Sequence, residues 1–182
     1  MKVYGWESIA IAGEGGSGKS TVSKKLGGLL NWGVFGAGSK FRSARPGESN
    51  LGAESGSEQE HDAIDAAMEE RLRAGDWVVE GRVAGLVAVT HKLDKVFTIL
   101  LDCAPEERYA RIWKRDKKLY SSLDQVKTLT EQRERENLTM FSDRYGESYL
   151  DSSLYNLTIN TGWFNLQETV KMVLGSMRNN SK

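Results

Sequence analysis

Gly13-Glu14-Gly15-Gly16-Ser17-Gly18-Lys19-Ser20 is a complete G-x-x-x-x-G-K-S loop, and its setting decides the fold. Before it, Ser8-Ile9-Ala10-Ile11-Ala12 is a short apolar run that reads as a strand. After it, Thr21-Val22-Ser23-Lys24-Lys25-Leu26 opens a helix. A strand feeding a glycine loop that starts a helix presents backbone N–H groups at the positive end of the helix dipole, where phosphate binds. Gly13 to Thr21 are therefore the expected cradle for a nucleoside triphosphate. Lys19 is expected to bridge the β- and γ-phosphates, and the Ser20 hydroxyl to ligate Mg²⁺.

Composition narrows the partners. In 182 residues, 25 Lys and Arg balance 25 Asp and Glu, so no long-range field favours nucleic acid or an anionic membrane. Trp6, Trp32, Trp77, Trp113 and Trp163 are scattered rather than gathered into a base-stacking platform, and no nucleic-acid partner is expected. The length suits one domain with a substantial core. Cys103 is the only cysteine, which excludes an internal disulfide and a multi-cysteine metal site. Following the apolar run Val96 to Leu101, it reads as a buried thiol rather than a nucleophile. His61 and His91 have no metal-ligand spacing and are expected on the surface. Met1 to Glu7 lacks the apolar core of a signal peptide, and no stretch reaches the ~20 apolar residues of a membrane span. The expectation is a monomer in the reducing cytoplasm.

Working outward, Gly33-Val34-Phe35 reads as a second strand, and Ser39 to Ala44 as a short helix stopped before Pro46. Residues 47 to 57, rich in glycine and serine, read as a mobile loop. Ile64, Met68 and Leu72 recur four apart over Glu58 to Ala74, the mark of one helical face, and Gly75 ends that helix. Trp77-Val78-Val79 is a third strand running into Glu80-Gly81-Arg82, and Val96 to Leu101 is a fourth. Pro105 to Lys118 and Ser122 to Arg144 are charged helices, the first with proline in its first turn. Leu157-Thr158-Ile159 is the last strand. Asn165 and Glu168 then form a capping box for a final helix carrying Leu166, Val170, Val173, Leu174 and Met177. Strands alternating with helices predict an α/β fold whose parallel sheet is covered on both faces, with no internal repeat and no second domain.

The loop names a phosphate donor and leaves the acceptor to be argued from basic groups. Arg42 and Arg45 follow Gly36-Ala37-Gly38-Ser39 just beyond a strand end, where ligands of open α/β sheets bind, so Arg42 is placed to grip a phosphate bidentately. Glu80, at the end of the third strand, can hold a water on the Mg²⁺, with Arg82 facing the same crevice. A salt bridge within that turn is the plain structural alternative. Arg108, Arg111 and Arg115 share one face of their helix, opposite Tyr109, Ile112 and Trp113. They form either a lid over the transferring group or a solvated charged face. On the next helix Val126, Leu129, Arg133, Asn137 and Met140 share a face, so Arg133 interrupts an apolar stripe and is expected to point to the cleft.

Gly13 to Ser20, Gly36-Ala37-Gly38-Ser39-Lys40-Phe41-Arg42, Val78-Val79-Glu80-Gly81-Arg82-Val83-Ala84-Gly85, Glu107-Arg108-x-x-Arg111-Ile112-x-Lys114-Arg115 and Leu157-Thr158-Ile159-Asn160-Thr161 together resemble short archaeal-type cytidylate kinases, over nearly the whole chain. The resemblance implies a P-loop NTPase three-layer sandwich with a five-stranded parallel sheet. It also implies an acceptor-binding helical region at about 36–75 and an arginine-bearing lid at about 111–122. The implied activity moves the γ-phosphoryl group of ATP, with Mg²⁺, to a nucleoside monophosphate, CMP or dCMP. By position, Arg42, Arg82 and Arg133 match residues that hold the acceptor phosphate. Lys19, Arg82, Arg111, Arg115 and Arg133 make up the implied catalytic set, and Asp151 matches an acidic position of the C-terminal loop on the acceptor side. The chain departs from the pattern at Met140, where arginine is expected, and at Ala66-Ala67-Met68, where bulkier polar residues are usual.

A monophosphate acceptor fits these residues because its attacking oxygen is already ionised near pH 7. The site must then align two polyanions and offset the charge between them rather than supply a base. Two other readings use the same loop. A GTP-binding switch protein would need a strand at 86–89, within Val87-Ala88-Val89-Thr90-His91-Lys92-Leu93-Asp94, where His91 stands for the asparagine of N-K-x-D. A kinase for shikimate, gluconate or another hydroxyl acceptor would need an Asp near the second strand, and Gly36-Ala37-Gly38 offers none.

Overall fold

The computed structural model describes residues 3–44 and 56–181, with strand β1 (Ser8–Ala12) at its centre. Every residue of β1 is buried, and its alternation divides the core: Ile9 and Ile11 face one side and Ala10 the other. β3 (Trp77–Glu80) pairs along one edge of β1 and β4 (Val96–Asp102) along the other. β2 (Gly33–Gly36) lies outside β3, and β5 (Leu157–Asn160) outside β4, giving the order β2-β3-β1-β4-β5 with every pairing parallel. Ser8 stands opposite both Trp77 and Val96.

Parallel neighbours need long crossovers, which helices supply. These are α1 (Lys19–Leu30), α2 (Ala37–Ala44), α3 (Glu58–Ala74), α4 (Ala84–Thr90), α5 (Pro105–Asp116), α6 (Leu123–Tyr145) and α7 (Leu166–Asn179). α1 and α7 cover the Ile9 face through Val22, Leu26, Val170, Val173 and Met177, and Trp6 Nε1 donates to Met177 O at 3.1 Å beneath them. α3, α4 and α6 cover the Ala10 face through Met68, Leu72, Leu86, Val87 and Phe141. A smaller cluster of Tyr109, Ile112, Tyr120 and Val126 fastens α5 to α6. The three-layer α/β sandwich with a five-stranded parallel sheet is as expected.

Several boundaries sharpen. The charged helix ends at Asp116, and residues Lys117–Leu119 tighten into a 3₁₀ turn. Asn165 and Glu168 form the expected capping box. A second box, in which Ser57 and Glu60 satisfy each other's backbone N–H groups, starts α3. Ser57 thus closes the serine-rich segment, whose part at 47–55 lies outside the described residues, as do Arg45 and the Arg42 side chain. Residues 84–90 are helical, so the strand that a GTP-binding switch reading needs at 86–89 is not there. His61 is a correction: it is only 7% exposed. It lies three residues before Ile64 and seven before Met68, on the same apolar stripe of α3, with its ring edge-on to Phe141 at 6.0 Å. His91 is at the surface as expected, 2.7 Å from Glu69. Cys103 is a buried free thiol. Among the described residues no helix is long and apolar enough to cross a membrane.

Candidate active site

β1 delivers the chain into the glycine loop between β3 and β4, where the strand order reverses and open α/β sheets bind ligands. Two glycines are required by contact as well as by torsion. A Cβ on Gly13 (φ +138°) would stand 2.3 Å from the Leu101 carbonyl oxygen, and one on Gly16 (φ +81°) 2.7 Å from the Arg108 carbonyl oxygen. The loop is thus pressed against β4 on one side and α5 on the other. Lys19 Nζ donates to the Gly13 and Glu14 carbonyls at 2.8 Å each, arching over the loop. Burial pushes its ammonium down to about 7; Glu80 opposes the shift, and Arg82, Arg133 and Arg115 add to it. This is a local surplus of positive charge of the kind a polyphosphate offsets.

At the first turn of α1 the Ser20 hydroxyl donates to Glu80 Oε1 at 2.8 Å. Glu80 ends β3 and is 6% exposed. A hydroxyl and a carboxylate oxygen side by side next to a phosphate cradle suit Mg²⁺, a hard cation that takes few protein oxygens beside water and phosphate.

A cleft of ≈ 690 Å³ opens over the loop, lined by Gly15, Gly16, Gly18, Lys19, Ser20, Thr21, Glu80, Arg82, Arg111, Arg115 and Arg133. The arginines reach it from three elements. Arg82 follows β3, and its Nη2 lies 3.6 Å from where a Gly15 Cβ would stand. The hydroxyl of the buried Tyr149 faces the same guanidinium. Arg111 docks on the loop after β5: its Nη1 donates to Thr161 Oγ1 at 2.9 Å and its Nη2 to Thr161 O at 2.7 Å. Thr161 Oγ1 in turn donates to Ser17 O at 2.9 Å. Arg115 pairs with Asp116 at 2.6 Å and is 54% exposed. Arg133 does reach the cleft from α6. The buried residues around it on α6 are Val126, Thr130, Asn137 and Phe141; Phe141 lines the cleft, while Met140 beside it packs half-buried against the core.

Arg108 does not share the outlook of Arg111 and Arg115. It is 3% exposed, with Nη2 at 3.1 Å from Glu14 Oε2, Nη1 on Glu134, and Nε donating to Cys103 O at 3.1 Å. Two carboxylates turned inward from the loop and from α6 need a cation between them, and Arg108 is that cation. Burial and the nearby Glu134 push the Glu14 carboxyl up against the pull of Arg108.

Asp151 is not among the residues lining the cleft. It is exposed, and its carboxylate accepts from Ser153 N at 2.9 Å, capping the 3₁₀ turn Ser152–Leu154. The aspartate that does line the cleft is Asp65 on α3, in company with His61, Ile64, Met68 and Phe141. Its signal in the sequence is its spacing: 61, 64, 65, 68 and 72 fall on one helical face. Glu134, Tyr149 and Thr161 reach the site through tertiary contacts that no local pattern announces.

A glycine loop with its lysine, a serine–carboxylate pair at the adjoining strand end and arginines converging from three sides define a P-loop phosphotransferase. Residues 9–138 match the AAA domain family. The chain is 32% identical to the cytidylate kinase of Haloarcula marismortui, covering 95% of this chain and 90% of that protein. It is 32% identical to that of Methanothrix thermoacetophila (93% and 97% covered) and 30% identical to that of Thermoplasma volcanium (91% and 88%). The chain belongs to the cytidylate kinase family and is a kinase. Among solved structures, a gluconokinase from Sinorhizobium meliloti 1021 superposes with a TM-score of 0.65 at 16% identity, covering 99% of this chain and 95% of that one. A shikimate kinase from Acinetobacter baumannii superposes with 0.62 at 15% identity, covering 96% and 94%. Those two likenesses are of fold.

Proposed function

We propose that the protein transfers the γ-phosphoryl group of ATP to a nucleoside monophosphate, with CMP or dCMP the preferred acceptor, giving ADP and the nucleoside diphosphate. The observation that carries this reading is that Arg82, from the turn after β3, and Arg133, from α6, line the same cleft as Lys19. A lone triphosphate is already served by the loop, its lysine and the helix dipole; further converging cations suit a second phosphate.

In this reading Lys19 and the backbone N–H groups of Gly13 to Thr21 hold the donor phosphates. Arg82 and Arg133, with Arg42 from α2, hold the acceptor phosphate in line with the γ-phosphorus. Ser20 and Glu80 would hold Mg²⁺, which when bound offsets charge on the donor phosphate oxygens. The ionised acceptor oxygen attacks the γ-phosphorus, and the bond to the β–γ bridging oxygen breaks with its electron pair leaving on ADP. Arg111 and Arg115, in a lid at about 111–122, offset charge on the moving phosphoryl group, and closure keeps water from accepting it. No base is required, which suits Asp65, already engaged by Arg144 and Tyr145.

The test is ADP release from Mg·ATP against CMP, dCMP, UMP, AMP, GMP, shikimate, gluconate and no acceptor. Turnover with CMP or dCMP well above the rest is expected. Preference for shikimate or gluconate, or no acceptor-dependent turnover, overturns the reading.

A further inference from the structure

Past Arg82 the cleft continues between α3 and α6, and its walls change character. Ile64, Met68 and Phe141 offer apolar surface, and one carboxylate, Asp65, stands among them. An apolar slot whose polar edge is one carboxylate and the neighbouring His61 imidazole suits a flat heterocycle better than a sugar or a phosphate. Asp65 is held firmly. Its Oδ2 accepts from the Tyr145 hydroxyl and from Arg144 Nε at 3.1 Å, with Arg144 Nη2 at 3.0 Å, and the side chain is 18% exposed. Oδ1 accepts no hydrogen bond from the described residues. Two consequences follow from this geometry. The carboxylate cannot turn away without breaking its bonds to α6. Its charge is only partly offset, because Arg144 Nη2 also holds Asp62 Oδ1, so the open oxygen stays a strong acceptor for an N–H donor.

We propose that Asp65 is the residue that separates cytosine from uracil at the acceptor site, its Oδ1 accepting an N–H of the cytosine 4-amino group. This inference rests on the nucleoside monophosphate kinase reading above. Cytosine presents a donor at position 4, whereas uracil presents a carbonyl oxygen there. Uracil would forfeit the hydrogen bond and set two acceptors against each other in a half-buried slot, a strong ground for rejection. Tyr145 and Arg144 act through Asp65 as positioning residues.

The experiment compares kcat/KM, with ATP as donor, for three acceptors: CMP, UMP and a CMP analogue carrying hydrogen in place of the 4-amino group. It is run on the wild type, Asp65→Ala and Asp65→Asn. The wild type should prefer CMP over the analogue by roughly 10- to 150-fold, the range for a hydrogen bond to a charged group. Asp65→Ala should make CMP and the analogue equal. Asp65→Asn, whose amide can donate to the uracil carbonyl, should raise UMP relative to CMP by about tenfold or more. A purely structural role would lower all three acceptors together, so unchanged ratios in the variants overturn the proposal. So does a wild type that uses CMP and the analogue equally, an outcome that needs no variant to fold. A wild type that phosphorylates no monophosphate refutes the underlying kinase reading instead, and is seen before any variant is made.

Discussion

The two ends of the cleft are built in opposite ways. The glycine-loop end is one run of chain, Gly13 to Thr21, whose backbone would do most of the donor binding in the proposed reading and whose glycines are wedged against β4 and α5. The proposed acceptor wall is a collection of single side chains from α3, the turn after β3, and α6. A backbone site depends on shape, and almost any substitution deforms it. A side-chain site depends on chemistry, and each residue can be exchanged while the frame stands. The first kind suits a donor common to many kinases, and the second suits an acceptor that must be told from its relatives.

The join between the two regions is the first place to break that contrast. Arg108→Met leaves the half-buried Glu14 and Glu134 without their cation, and should lower stability by about 2–3 kcal/mol in urea unfolding. Adding Glu14→Gln and Glu134→Gln should restore most of that loss. Next, Lys19→Ala should reduce kcat roughly 10²- to 10³-fold, since it removes a fixed charge from the transferring group. Arg133→Ala should act on one region only, lowering kcat/KM for the acceptor about tenfold or more while ATP affinity barely moves. Equal efficiency in mutant and wild type would remove Arg133 from the site.

A pH experiment sharpens the donor side. With its pKa near 7 in the free cradle, Lys19 is largely neutral at pH 8, and a bound phosphate chain draws the proton back. ATP binding should therefore take up protons above pH 7 and weaken as pH rises, approaching about tenfold per pH unit. Calorimetry in two buffers of different ionisation heat measures the uptake; none at pH 8 would contradict it. The sign for stability follows the same shift. A lysine held below its ordinary value opposes folding fully below pH 7, and that cost fades as the pH climbs toward 10. The smallest effect is expected at Asp151, a cap on an exposed turn. Asp151→Ala should leave kcat/KM within about twofold, and a larger loss would return Asp151 to the acceptor side.

The same contrast explains what could be read in the chain. The sheet, its helices and the cradle were legible because each is local: an apolar run, a repeat of three and four, a glycine loop at a strand end. Arg133 was legible because it breaks a stripe. Met140 and Phe141 flank the same helical face, and only the packing of α6 against the sheet and α3 decides that Phe141 is the one in the cleft. Arg108 looked like its neighbours at 111 and 115, and only the carboxylates of Glu14 and Glu134, distant in sequence, draw it inward. Asp65 went unread because its meaning lies in Tyr145 and Arg144 on another helix. Asp151 was carried over by position, and position alone does not say where a side chain ends up.

Thr161 gives the order of the chain a consequence. The phosphate loop is near the start, yet the hydroxyl that braces Ser17 arrives 144 residues later, on the segment that also receives Arg111. β5, which carries that segment, joins the sheet along one edge only, through β4. A growing polypeptide would thus hold its cradle unbraced until β5 docks, and nucleotide capture would report that β5 is in place.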